Sequence, residues 1–207
     1  MDNTAREGFK QSPVLVDKVI QALRQNIASK LDWLDTTFGR SYDMVEHEDD
    51  GGKFIYPAAY IGDGEYTSLL PNDRFGNFLW FDVYDPQDIT TVRQQLAQIE
   101  FNCAAVFWFN QEKIFDASDF LYIEEIKDQI LRALSSPGMV KYGETLTVSR
   151  IYEKPENIYK GYSLEKLYNS HLYKGQNIQA MDHQYFVHPY GALRFELNIT
   201  ARETCYK

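Results

Sequence analysis

Residues 56–86 read YPAAYIGDGEYTSLLPNDRFGNFLWFDVYDP. Two apolar, aromatic-rich runs flank a polar stretch that holds Gly62, Asp63, Gly64, Pro71, Asn72, Asp73, Gly76 and Asn77. Apolar runs separated by turn formers predict paired strands. The stretch therefore reads as one large β-hairpin that presents a long loop or arm. In its second run Phe78, Trp80, Asp82 and Tyr84 alternate with Leu79, Phe81 and Val83. Both faces are largely apolar, which predicts a central strand covered on both sides. Asp85-Pro86 ends it. In the first run Pro57 predicts an edge strand or a bulge over residues 53–61. Residues 65–70 predict a short strand inside the hairpin. Gly62-Asp63-Gly64-Glu65 reads as a turn, because Gly and Asp tolerate positive φ.

On the N-terminal side, residues 1–12 are polar and predict a flexible start. Ser12 then offers an N-cap and Pro13 a first helical position. Val16, Val19, Ile20, Leu23, Ile27, Leu31 and Leu34 recur at spacings of three and four, predicting a helix over 13–35 with Gly39 as its stop. Residues 42–52 carry Asp43, Glu46, His47, Glu48, Asp49 and Asp50 before a Gly pair. They read as a solvated acidic loop; the alternating ligand spacing of a calcium loop is missing.

On the C-terminal side, Ile89, Val92, Leu96 and Ile99 have helical spacing, with Asp88 as cap. They predict a short helix leading into the strand FNCAAVFWF, residues 101–109. Asp116 and Asp119 mark a turn. Phe120, Ile123, Ile126, Ile130, Leu131 and Leu134 predict a helix that ends at Ser135-Ser136-Pro137-Gly138. Residues 144–152 alternate like a half-buried strand. Residues 153–190 form an irregular lobe rich in Tyr, with a short helix predicted over 163–171. Residues 192–205 alternate again: Leu193, Phe195, Leu197 and Ile199 face one way, and Arg194, Glu196, Asn198 and Thr200 face solvent or a partner. The sum is an α+β fold: a mainly antiparallel sheet, a long β-hairpin arm and two to three helices packed on one face. Residues 13–152 and 191–207 make its core domain, and 153–190 the lobe.

The chain has 207 residues, enough to bury a core without staples. Aromatic residues make up 15%, with 15 Tyr and 13 Phe against 3 Trp. A surplus of Tyr suits either a β-rich core or surfaces that are partly apolar and partly wet. The net charge is −9, so a uniformly acidic surface would not grip nucleic acid by counterion release. No segment reads as a signal peptide or approaches the length of a membrane span. Cys103 and Cys205 lie far apart and make no metal motif.

The sequence offers little chemistry. The histidines are His47, His171, His183 and His188, and no pair has the spacing of a helical zinc site. No Ser sits in a nucleophile elbow. Cys103 lacks a basic partner, and carboxylate pairs such as Asp49-Asp50 are charge runs. No metal or cofactor is implied. Catalysis would need a site assembled from scattered residues, for instance a metal-dependent hydrolase using His183 and His188.

One resemblance rests on the order of motifs. A helix precedes Tyr56-Pro57-Ala58-Ala59, then Gly64-Glu65-Tyr66-Thr67, then the Phe78–Tyr84 strand ending in Pro86, and the chain closes on LRFELNIT. This order resembles the tail-terminator family of tailed bacteriophages. The likeness covers residues 13–134 and 192–205; the lobe at 153–190 and the acidic loop are additions to the family pattern. It implies a structural virion protein without catalysis. It would assemble in the host cytoplasm into a ring of about six subunits or a multiple of that. Such a ring would sit at the tail end or at the head–tail junction. Its implied partners are other neck, connector or tail proteins, with DNA passing through a channel without specific binding and no membrane. Under that reading the interface residues are Glu65, Tyr66, Leu69, Leu70, Asn72, Arg74 and Phe75 in the arm, and Tyr159, Tyr162, Tyr168, Tyr173 and Tyr185 in the lobe. A cellular or mobile-element adaptor on the same scaffold is the competing reading.

Overall fold

A computed structural model describes residues 10–47, 53–92, 96–115, 121–136, 143–162 and 188–204. The fold is α+β. In chain order the elements are α1 (Leu15–Ala28), β1 (Thr36–His47), β2 (Lys53–Gly62), β3 (Glu65–Ser68), a 3-10 turn (Asp73–Phe75), β4 (Phe78–Val83) and β5 (Asp88–Val92). There follow β6 (Leu96–Asn110), α2 (Gln111–Phe115), α3 (Ile123–Leu134), β7 (Gly143–Tyr152), α4 (Pro155–Ile158) and β8 (Tyr190–Thr204). The strands form one sheet in the order β3-β2-β1-β4-β6-β8-β7, with β5 beside β6. Every pairing is antiparallel except β1 with β4.

The spine is the pair β6–β8, in register from Leu96↔Thr204 to Asn110↔Tyr190. Fifteen residues of strand span about 50 Å. Side chains alternate across such a strand, and here the alternation separates two cores. Ile99, Phe101, Cys103, Ala105, Phe107 and Phe109 of β6 join Leu193, Phe195, Leu197, Ile199 and Ala201 of β8 under α1 and α3. Ala104, Val106 and Trp108 point the other way, into a second core with Phe38, Phe54, Leu69, Phe78, Trp80, Ile158 and Tyr159. The strands at 101–109 and 78–83 are central and doubly covered, as their unbroken apolar character predicts.

Four expectations are corrected. Residues 56–86 are not one hairpin. β2 and β4 never pair; both flank β1, and β4 runs parallel to it. The long arm is therefore absent. In its place β2 and β3 make a small hairpin whose turn, Gly62-Asp63-Gly64, has φ of 114°, 51° and 82°, matching the turn chemistry of Gly and Asp. The chain then crosses to β4 through 69–77. Pro57 lies in a strand paired on both sides, and its carbonyl still accepts from Leu69 N at 2.9 Å.

The second correction concerns the acidic segment. Residues 43–47 belong to β1, paired as Asp43↔Pro57 through His47↔Lys53; 48–52 lie outside the described residues. Third, 88–92 and 96–100 are paired antiparallel strands, not a helix, with Ile89↔Ile99 in register. The run Ile-Thr-Thr-Val is β-branched throughout, which favours strand over a three-four spacing. Fourth, α1 starts at Leu15, with Val14 rather than Ser12 at the cap position, and ends at Ala28. Leu31 and Leu34 stay buried beyond its end. Beyond the helix, Asp35 N and Thr36 N donate to Asn77 O, at 2.9 and 3.1 Å, so β1 starts against β4. Gly39 consequently sits within β1.

The junction at Asn77 holds three elements together. Its side chain donates to Trp33 O at 2.9 Å and accepts from Asn110 N at 2.8 Å, tying the α1–β1 connection to the end of β6. Gly76, at φ 64°, could not be replaced cheaply, since a Cβ there would meet Asp35 Oδ2 at 2.3 Å. Among the described residues no helix is long and apolar enough to cross a membrane.

Candidate functional site

Two features stand apart from the apolar cores: a tyrosine cluster on the β3 edge and a buried arginine network on β8.

β3 is four residues long and pairs only with β2 among the described residues. Tyr66 opposes Tyr60 in register, with ring centroids 5.3 Å apart, and meets Tyr42 edge-on at 5.9 Å. All three are exposed, at 37–46%. Tyr60 also fixes the hairpin turn, its hydroxyl accepting from Gly64 N at 3.0 Å. The other end of the sheet is β7, which pairs only with β8 among the described residues.

The twelve residues assigned to an interface divide sharply. Glu65, Tyr66 and Arg74 are exposed. Asn72 and Phe75 are half-buried. The Asn72 side chain is used locally, donating to Leu70 O at 2.7 Å and accepting from Arg74 N at 3.0 Å. Phe75 packs edge-on against Phe38 and Phe78, with Arg74 over its ring at 5.3 Å. Leu69, Leu70 and Tyr159 are buried, at 0%, 5% and 1% exposure, in the second core. The Tyr159 hydroxyl donates to Leu69 O at 3.0 Å, which joins the end of α4 to the segment that crosses from β3 to β4. Tyr162 is half-buried and donates to Asp43 Oδ1 at 3.0 Å. Tyr168, Tyr173 and Tyr185 lie outside the described residues, as do His183 and the helix expected at 163–171. Among the described residues no group of His, Cys, Asp and Glu is arranged to hold a metal ion.

The arginine network was not legible as such. Across β4–β6–β8 the register aligns Asp82↔Ala104↔Glu196, and one step along Trp80↔Val106↔Arg194. Strands β4 and β8 lie about 10 Å apart. Only a small residue between them lets long polar side chains meet, and Ala104 is that residue. Arg194, fully buried, donates from Nη2 to Asp82 Oδ2 at 2.6 Å and from Nε to Glu196 Oε1 at 3.0 Å. Its Nη2 also contacts the Tyr84 hydroxyl, and Nη1 donates to Ile158 O at 3.0 Å. Tyr84 donates to both Glu196 oxygens, at 2.8 and 2.7 Å. The guanidinium thus fastens α4 to the sheet.

The electrostatics follow from burial. Asp82 is pushed above the usual carboxylate range by desolvation, which Arg194 only partly offsets while Asp43 and Glu196 add to it. Arg194 is itself penalised by burial, but Asp82 and Tyr84 outweigh this and hold its proton more firmly. The arginine gains from Asp82 and Tyr84, whereas Asp82 gains only partly from the arginine it shares. Burial raises Tyr84, and it raises Tyr162 with help from Asp82 and Asp43. The Cys103 thiol, fully buried on the opposite face, is raised by the same cause.

No family model matches the sequence, and no curated protein matches it either.

Proposed function

We propose that this chain is a structural virion protein, a tail-terminator-like subunit without catalysis. It forms a closed ring at the head–tail junction or tail end of a tailed bacteriophage. The observation that carries the reading is the sheet's pair of dissimilar open edges. β3, whose exposed Tyr66 meets Tyr60 of β2 and Tyr42 of β1, lies at one end of the strand order and β7 at the other, each paired on one side only among the described residues. A closed ring needs a head-to-tail contact between two different patches on each subunit. Tyrosine supplies large contact area at low entropic cost and tolerates water while the subunit is free. The motif order from Tyr56 to Pro86, with the LRFELNIT strand, supports the phage setting. The neighbours in that setting are other neck, connector or tail proteins, around a passage for DNA.

Size-exclusion chromatography with light scattering tests it. The expected result is a concentration-dependent oligomer of about six subunits or a multiple. Tyr66→Lys should convert it to monomer, because a charge on an edge strand blocks pairing. Stability should change by only about 0.5 kcal/mol, as for an exposed site. A monomer or dimer at every concentration would favour the adaptor reading.

A further inference from the structure

Between α1 and the start of β1 lies a cavity of about 240 Å³, lined by Lys10, Asp17, Gln21, Arg24, Arg40 and the rings of Tyr42 and Tyr60, among others. We propose that this cavity is a binding site for an oxyanion, a phosphate or carboxylate group carried on a small molecule. The inference is independent of the ring reading.

Three observations converge on it. The first is charge. In a chain of net −9, the described residues of this lining include three basic side chains and one carboxylate, Asp17, which is paired with Lys10. Among the described residues, the lining between helix and strand therefore carries a net positive formal charge.

The second is how the arginines are held. Arg24 lies on the buried side of α1 with Leu23 and Ile27 and is 1% exposed. Its Nη2 donates to Thr37 O, which fixes the planar group at the cavity wall. Burial lowers its pKa to about 10, so it remains a cation at neutral pH. Arg40 reaches the same space from β1, stacked over the Tyr42 ring at 5.4 Å. Its Nε is buried and meets no acceptor among the described residues. Two forked guanidinium groups are the donor set that planar or tetrahedral oxyanions select.

The third is the room itself. Gly39 stands between the two arginines. A Cβ added there would come within 3.6 Å of Arg24 Nη1, so any larger side chain would grow into the space. One rim is braced: the Gln21 side chain accepts from Lys10 N at 3.1 Å and donates to Lys10 O at 3.2 Å, holding the Lys10 ammonium beside Asp17. The volume falls just below the usual range for small-molecule sites, matching a small anionic ligand.

Isothermal titration of the full chain with inorganic phosphate and, separately, acetate tests the site, at constant ionic strength against chloride. At least one anion should bind saturably. The stronger of the two arms tells whether the natural ligand presents a phosphate or a carboxylate. Arg40→Gln should raise the dissociation constant at least about tenfold, the loss of one charge-assisted contact. Gly39→Val, which keeps every charge but fills the space, should abolish binding. Circular dichroism shows whether each variant folds. Should Gly39→Val unfold, Arg40→Gln, whose side chain is half-exposed, decides alone. The proposal is overturned if neither anion binds above chloride, or if binding survives Arg40→Gln unchanged.

Discussion

The two faces of the central strands solve the same burial problem differently. On the helix-covered face, β8 contributes Leu193, Phe195, Leu197, Ile199 and Ala201, all buried and all apolar. On the opposite face the same strand runs from buried Ala192 through Arg194 and half-buried Glu196 to exposed Asn198. The first face is held by area removed from water, which is non-directional and tolerates exchange of similar volumes. The second is held at its polar end by one cation shared among named acceptors. A buried charge costs several kcal/mol unless its partners are present. That face should therefore be brittle where the first is forgiving.

The largest expected effect is at Arg194. Arg194→Met keeps much of the packing volume but leaves Asp82 and Glu196, at 19% and 13% side-chain exposure, without their cation. Breaking a buried pair from one side costs about 3–5 kcal/mol. Urea unfolding should show that loss. Adding Asp82→Asn should recover part of it, since it removes a stranded charge; a strictly additive double mutant would show that the network is not a unit. Because Arg194 also holds Ile158 O, amide exchange in 155–162 should accelerate in the single variant.

On the apolar face the matching experiment is Leu197→Ala. Its expected cost is about 2–4 kcal/mol, from lost transfer energy plus the cavity left behind. Leu197→Met should cost less than about 1.5 kcal/mol, because volume is kept. The comparison between the faces fails if the volume-conserving change at 197 hurts as much as the one at 194.

The same contrast explains what could be read in the sequence. The helix-face core was legible almost residue by residue: the odd positions of 193–199, the apolar positions of α1 and those of α3 all fall where their periodicity puts them. The second face was legible only in part. Arg194 and Glu196 alternate with apolar residues, and alternation ordinarily means solvent. What buries them is Ala104 on a neighbouring strand and the α4 segment beyond, neither local in sequence. A hint lay in Asp82 and Tyr84, polar groups inside an otherwise apolar central strand; such groups need partners. Pairing was the harder problem. Two aromatic strands with a turn-rich stretch between them fit a hairpin equally well, and only β1 slotting between β2 and β4 decides otherwise. β1 was missed because its acidic residues, Asp43 and Glu46, were weighed as a charge run. The arginine-lined cavity is hidden for the same reason as the network: Arg24 interrupts an apolar helix face, and Arg40 reaches it from β1, which no local pattern marks as a strand.

The smallest effect is the most diagnostic for the polar face. Asp82 has its folded-state pKa raised above its ordinary value of 3.8, by burial first. A raised carboxylate is stabler in the fold when protonated. Its contribution is thus most favourable below about 3.8 and declines as pH rises through the folded value, then stays flat. Other carboxylates tilt the whole curve, so the measure is the wild-type stability minus that of Asp82→Asn at each pH. This difference should fall across the acidic window and level off toward neutrality. In an Arg194→Met background the fall should be larger, because the group that favours ionised Asp82 is gone. If the difference instead rises with pH, attraction to Arg194 outweighs desolvation. The polar face would then be a net source of stability at neutral pH rather than a cost accepted to anchor α4.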